Sequence, residues 1–163
     1  MIRSRIDALT LLGMLLLVMI ALSAAAAEVN SAVGTWKLNL RKSTFTNMPA
    51  PVAEMLIVST DTETALKWSL TEAEADGKSY HQSFDGAIDG NYHAMTGSRM
   101  ESTIAYARNP LGGLNWVVKD KNGITIETGT GALSSDGRTL HLKGTIKTAQ
   151  GDASFDSVYD RVP

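Results

Sequence analysis

The chain of 163 residues contains no cysteine, only four prolines and no large excess of charge of either sign. Without cysteine there is no disulfide, no thiol nucleophile and no thiolate metal ligand, so a stable fold must come from packing. The 15 basic and 17 acidic residues give a net charge of −2. This balance provides no electrostatic reason to bind nucleic acid, and we expect no nucleic-acid partner.

A long hydrophobic run occurs near the N-terminus. Leu9 to Leu22 is almost wholly apolar, follows two arginines, and leads to Ala25 and Ala27. This is the pattern of a secretory signal peptide, and the run is short for a transmembrane helix, which needs roughly 20 apolar residues. We predict a signal helix within residues 1–27, membrane contact only through it before cleavage, and export to the periplasm or the extracellular space. A retained N-terminal anchor is the alternative.

Residues 28–163 show a hydrophobic pattern with a period of two and no convincing amphipathic helix. Trp36, Leu38 and Leu40 alternate with polar residues, and similar short segments follow. Hairpin signals between these segments include Asp76-Gly77, Asn122-Gly123 and Asp136-Gly137. About nine or ten closely spaced strands favour one all-β domain, an antiparallel meander β-barrel, over a Greek-key sandwich, because closure removes exposed edges.

Two local predictions concern connections between strands. The segment from Arg41 to Pro51 is expected to be a loop, because its prolines oppose a regular ladder. Asp85-Gly86 and Asp89-Gly90 are expected to bracket a turn before a strand that begins at Tyr92.

Several motifs occur in a fixed order along residues 28–163. They include Gly34-Thr35-Trp36-Lys37-Leu38-Asn39, Phe84-Asp85-Gly86, Met95-Thr96-Gly97, Leu133-Ser134-Ser135-Asp136-Gly137 and Val158-Tyr159-Asp160-Arg161. In this order they resemble a family of uncharacterised secreted bacterial proteins described as lipocalin-like. The resemblance implies a lipocalin-like, or calycin-like, barrel, and it implies no particular activity.

The wider lipocalins also imply a structural role for three residues. In those proteins a Gly-x-Trp motif lies at the closed end of the barrel, and a late basic residue packs over the indole. By this resemblance Gly34, Trp36 and Arg161 form the structural base of the barrel. A guanidinium over an indole face contributes about 0.5–2 kcal/mol.

Motifs for metal binding and catalysis are missing. His81, His93 and His141 do not provide the three or four ligands that zinc requires, so we interpret them as surface or rim residues. No nucleophile elbow and no phosphate-binding loop occurs. We therefore predict no metal site, no cofactor and no assigned catalytic residue.

Aromatic and polar residues of the central strands are the remaining candidates for a site. The candidate ligand-binding residues are Tyr80, Gln82, Tyr92, Tyr106, Arg108 and Trp116. In a barrel too wide to be filled by side chains they would line a pocket, with Gln82 and Arg108 orienting the ligand. A barrel filled by its own side chains is the alternative.

The predicted function is non-covalent binding of a small, largely apolar molecule. One alternative is a small barrel enzyme of isomerase or hydrolase type that uses His93 or Arg108. The other is an envelope module whose outer face binds a protein. A cavity with a histidine and a carboxylate within hydrogen-bonding distance would favour the enzyme, and a filled barrel with an exposed apolar patch would favour the module. The sequence leaves the oligomeric state open.

Overall fold

The protein is an all-β structure. The computed structural model describes residues 31–97 and 101–163, and within these ranges it contains eleven strands and no helix. The strands are β1 (Gly34–Leu38), β2 (Thr44–Thr46), β3 (Ala53–Asp61), β4 (Ala65–Ala73), β5 (Ser79–Ala87), β6 (His93–Ala94), β7 (Ser102–Arg108), β8 (Leu114–Asp120), β9 (Thr125–Leu133), β10 (Thr139–Thr148) and β11 (Gly151–Val162). Among the described residues, no helix is long and apolar enough to cross a membrane. The predicted signal segment, residues 1–27, lies outside the described residues.

The strands form one antiparallel sheet that curves into a barrel. β1 pairs with β3 on one side and with β11 on the other, so the first and last strands meet. Elsewhere consecutive strands pair in chain order from β3 to β5 and from β6 to β11. Between β5 and β6 the barrel is closed only by an isolated β-bridge between Ser83 and Thr96, with backbone N···O distances of 2.9 and 3.0 Å. The predicted meander barrel is therefore confirmed, in a nearly closed form.

The predicted loop from Arg41 to Pro51 is wrong in part, because it contains β2. This strand pairs with Ser154–Asp156 of β11. β11 is 12 residues long, and β1 pairs only with its last four positions from Tyr159. β2 therefore covers an edge of β11 that would otherwise have unpaired backbone groups.

The predicted turn at Asp85-Gly86 is also wrong. β5 continues to Ala87, and Asp85 lies opposite Lys67 of β4, with which it forms a 2.6 Å ion pair. Gly86 instead makes room for the Phe84 ring, since a Cβ at position 86 would lie 2.7 Å from that ring. A glycine that makes room for a ring and a glycine in a turn look alike in sequence.

The inward face of β3 changes phase near its end. From Glu54 to Val58 every second side chain points into the barrel. A bulge between Val58 and Thr60 then adds one residue, so that Asp61 lies opposite the inward Leu66. The bulge thereby places an acidic side chain in the barrel interior.

The Gly-x-Trp motif lies at the seam between the first and last strands. Trp36 is 0% exposed, and its indole nitrogen donates a hydrogen bond to the Ala32 carbonyl oxygen at 2.8 Å. The Arg161 guanidinium lies over the Trp36 ring, 4.2 Å from its centroid. This is the arrangement that the resemblance to lipocalins implies.

Gly34 is required in this seam for two reasons. Its φ of +149° is a conformation that favours glycine. A Cβ at Gly34 would also lie 2.5 Å from a terminal nitrogen of Arg161. Arg161 is held in place by hydrogen bonds of 2.7 Å to the carbonyl oxygens of Val33 and Gly137.

Candidate functional site

The barrel interior contains a cavity of about 290 Å³. This volume lies just below the usual range for small-molecule sites, which is roughly 300–1,000 Å³. The lining is mainly aliphatic and includes Leu56, Val58, Leu66, Leu70, Ile104, Val118 and Leu140. This cavity favours the pocket over the alternative of a barrel filled by its own side chains.

Glycines in β9 and β10 make room for two aromatic rings of the cavity lining. A Cβ at Gly129 would collide with the Trp116 ring, and one at Gly144 would lie 2.5 Å from the Phe155 ring. The Trp116 and Phe155 rings stack on each other, with centroids 6.4 Å apart and an interplanar angle of 17°. The two rings therefore occupy space beside glycine backbone that a larger residue would block.

Four of the six predicted ligand-binding residues line the cavity, namely Gln82, Tyr106, Arg108 and Trp116. Tyr80 and Tyr92 are not among the lining residues. Tyr92 lies between β5 and β6 rather than in a strand, is 40% exposed, and its ring contacts the Lys119 ammonium at 4.2 Å. Tyr80 lies opposite Glu72, near the end of β4. The ligand-binding role of all six residues stays a prediction.

Two aromatic side chains of the cavity wall are held by hydrogen bonds. The Tyr106 hydroxyl accepts a hydrogen bond from the indole nitrogen of Trp68 at 2.9 Å. Burial raises the pKa of Tyr106 above its usual value, so the hydroxyl stays protonated. The indole nitrogen of Trp116 donates to the Glu127 carboxylate at 2.8 Å, and burial raises the pKa of Glu127. Both rings are therefore fixed before any ligand enters.

Two further carboxyl groups lie together in the cavity lining. Glu54 of β3 and Glu72 of β4 occupy directly opposite positions, and both side chains line the cavity. The Tyr159 hydroxyl donates a hydrogen bond to Glu54. Burial raises the pKa of Glu54 to about 7; the Tyr159 hydrogen bond opposes this effect, and the nearby Glu72 adds to it.

This acidic pair is absent from the sequence predictions, although the sequence contains its signal. Glu54 is two residues before Leu56, and Glu72 is two residues after Leu70. Both carboxyl groups therefore share the inward face of their strands with leucines. A polar residue on that face is a sign of a site, because polar residues are seldom buried without a reason.

Arg108 and Asp61 form an ion pair elsewhere in the cavity lining. The Arg108 guanidinium donates to the Asp61 carboxylate and to the Thr62 carbonyl oxygen. The Asp61 side chain is only 5% exposed and also accepts a 2.7 Å hydrogen bond from the Ala32 backbone. Arg108 Nε is buried and has no hydrogen-bond partner among the described residues. The charge of Arg108 is therefore balanced before a ligand binds.

The histidines lie outside the cavity. His93 contacts the Asp89 carboxylate at 3.0 Å, and His81 contacts the Thr71 hydroxyl at 3.1 Å, both in exposed settings. No histidine lines the cavity. Within the described ranges, no group of three or more histidine, cysteine or acidic residues is placed to hold a metal ion. His93 and Asp89 do form a contact between a histidine and a carboxylate, but this contact lies outside the cavity.

The raised pKa of Glu54 predicts a pH-dependent stability that glutamine at this position would abolish. The folded protein binds the Glu54 proton more tightly than the unfolded chain, so folding is favoured at low pH. This contribution is complete below pH 4.5 and is lost as pH rises through about 7. We expect Glu54→Gln and wild type to be similarly stable at pH 4, and the variant to be more stable by up to about 3 kcal/mol at pH 8.

Urea unfolding of both proteins at a series of pH values measures this difference directly. Comparison with the variant removes the contribution of every other titrating group. A constant difference across the range would show that Glu54 titrates as an ordinary exposed carboxyl group.

Comparisons with known proteins give a likeness of shape. No protein-family model matches the chain, and no curated protein matches it. Among solved structures, the zebrafish ileal bile acid-binding protein complexed with cholic acid is similar to it, with a TM-score of 0.49 and 14% sequence identity. The match covers 81% of this chain and 100% of that chain. The resemblance to secreted lipocalin-like proteins therefore stays a prediction.

Proposed function

We propose that the protein binds a small, largely apolar molecule non-covalently inside its barrel. The observation that carries this proposal is the cavity of about 290 Å³, with a mainly aliphatic lining and a few fixed polar groups. Burial of apolar surface supplies affinity in such a site, and the polar groups orient the ligand. Trp116 and Tyr106 offer rigid ring surfaces for contact, because both are already hydrogen-bonded.

Saturable quenching of tryptophan fluorescence is the expected result when apolar ligands are added. A suitable panel contains fatty alcohols, fatty acids, amines, sterols and aromatic compounds, with calorimetry as a second readout. Trp116→Leu should weaken binding roughly tenfold while the barrel stays folded, because a ring of the wall is lost. Trp36→Phe is the matched control, since Trp36 is fully buried and is not among the lining residues.

Absence of binding across the panel, together with an experimental structure whose interior is filled, would refute the container role. The outer surface would then be the place to look for a partner.

A second candidate function is catalysis, and one observation favours it. The carboxyl group of Glu54 has a pKa raised to about 7 and lies beside the Tyr159 hydroxyl in the cavity lining. A pKa near neutrality suits a group that accepts and returns a proton. These residues differ from His93 and Arg108, which the sequence pointed to for an enzyme.

Recovery of the bound ligand distinguishes the two functions. A ligand that leaves the protein chemically unchanged, by mass spectrometry, supports binding alone. Conversion of the ligand by wild type and not by Glu54→Gln would support an enzyme.

We also propose that the protein is exported, to the periplasm or beyond the cell. The sequence of residues 1–27 supports this, with its basic start, apolar run and small residues before Glu28. N-terminal sequencing of the exported protein should give a chain that begins at or near Glu28. A full-length chain recovered from the membrane would contradict cleavage.

A further inference from the structure

We propose that the cavity selects neutral apolar molecules that carry a hydroxyl group, and that the carboxyl group of Glu54 binds this hydroxyl. This inference rests on the proposed function and specifies the chemical class of its ligand.

The carboxyl group of Glu54 has a hydrogen-bonding position to spare in the cavity wall. Glu54 lines the cavity together with Leu56, the next inward residue on β3. Among the described residues, the hydrogen-bond partner of this carboxyl group is the Tyr159 hydroxyl, which donates to one of its two oxygens. Because a carboxyl group can form several hydrogen bonds, the second oxygen of Glu54 remains available to a ligand.

A hydroxyl group on the ligand suits this position better than plain hydrocarbon does. An apolar molecule that enters the cavity excludes water from Glu54, and a buried polar group without a hydrogen-bond partner costs free energy. A ligand hydroxyl avoids this cost because it forms the missing hydrogen bond. It can accept a hydrogen bond from the protonated carboxyl group and donate one to the ionised carboxylate, so it fits both forms of Glu54.

A ligand carboxylate finds no unpaired basic side chain in the described lining. Arg108 is basic, but its guanidinium donates to the Asp61 carboxylate and to the Thr62 carbonyl oxygen; lysine and histidine are not among the lining residues. An ionised group loses its hydration in an apolar cavity, and only an unpaired opposite charge compensates for this loss. The cavity therefore disfavours fatty-acid-like ligands.

A ligand ammonium group is disfavoured below neutral pH for a related reason. The charge of Asp61 is balanced by Arg108. Glu127 accepts the hydrogen bond of the Trp116 indole, and Glu72 has an interaction partner of its own. Burial raises the pKa of Glu54 to about 7, so its carboxyl group is mainly neutral at pH 6. At that pH an ammonium group gains no charge pairing from Glu54.

A matched series of octanol, octylamine and octanoate at pH 6 tests the inference. All three ligands share the same hydrocarbon chain, but the amine and the acid are ionised at this pH, whereas octanol is neutral. For wild type we expect octanol to bind at least about tenfold more tightly than either ionised ligand, by calorimetry.

Two substitutions of similar size test the role of the Glu54 carboxyl group. Glu54→Met removes the hydrogen-bonding atoms and should weaken octanol binding about fivefold, which corresponds to one hydrogen bond. Glu54→Gln keeps a donor and an acceptor, and its affinity for octanol should stay within about twofold of wild type. Glu63→Met, in the exposed turn between β3 and β4, is the matched control and should leave the affinity unchanged.

A crystal structure of wild type with octanol decides the same question if Glu54→Met does not fold. We expect the octanol oxygen within about 3 Å of the Glu54 carboxyl group. An octanol oxygen that lies elsewhere in the cavity would refute the role of Glu54.

The outcomes separate this inference from the proposed function. If octanol binds and an ionised ligand binds as tightly, the preference for neutral molecules is refuted and the container remains. Equal affinity of wild type and folded Glu54→Met for octanol would refute the role of the carboxyl group. If none of the three ligands binds to wild type, both proposals fail.

Discussion

Replacement of Trp36 by alanine is expected to lower the free energy of unfolding by about 3–5 kcal/mol. The side chain is fully buried, and it joins the N-terminal segment to the seam of the barrel through its hydrogen bond to Ala32. Its removal leaves a large cavity and takes away the surface on which Arg161 lies. Urea or guanidinium unfolding, followed by circular dichroism, measures the loss.

A double-mutant cycle with Arg161→Met separates the packing of the indole from its contact with the guanidinium. The coupling free energy should be about 0.5–2 kcal/mol, the range of a cation–π contact. A loss below about 1.5 kcal/mol for Trp36→Ala would mean that the seam is not important for stability, since volume-conserving core swaps, which leave no cavity, already cost up to about that amount.

Replacement of Arg108 by methionine is the second change with a large expected effect. It leaves the Asp61 carboxylate, whose side chain is 5% exposed, without its ionic partner. Removal of one partner of a buried ion pair costs about 3–5 kcal/mol, because the remaining charge is neither paired nor hydrated. We expect a loss of this size in the free energy of unfolding.

The double variant Asp61→Asn/Arg108→Met is the matched control. It removes both charges and keeps an acceptor for the Ala32 backbone, so it should recover much of the stability that the single change loses. If the double variant were no more stable than Arg108→Met, the loss would arise from packing of the arginine stem rather than from the unpaired carboxylate.

The overall architecture could be predicted from the sequence because it depends on a regular pattern. Alternation around Trp36 and Leu38, and hairpin signals such as Asn122-Gly123, correspond to strands and turns in the structure. The contact between Arg161 and Trp36 follows from the lipocalin resemblance together with the meeting of the first and last strands. Both features can be predicted because they depend only on the order of the strands and on the period-two alternation of apolar residues.

The polar part of the site could not be predicted in the same way. Asp61 enters the barrel because of a bulge, and a bulge of one residue leaves no clear mark in a run such as Val58-Ser59-Thr60-Asp61. Tyr92 is a candidate wall residue because of its type, but it lies outside a strand, where alternation does not fix the direction of its side chain. By residue type alone, Glu54 and Glu72 look like outward, exposed residues. Only their two-residue spacing from Leu56 and Leu70 shows that they lie on the inward face.

A crystal structure of the protein grown with octanol tests the central claim most directly. Octanol is neutral and largely apolar, so its binding depends on the apolar cavity and not on a charged partner. The account predicts density for the alcohol inside the barrel, with its chain against Leu56 and the Trp116 ring. A well-resolved barrel whose interior side chains close the cavity, with no alcohol inside, would contradict it.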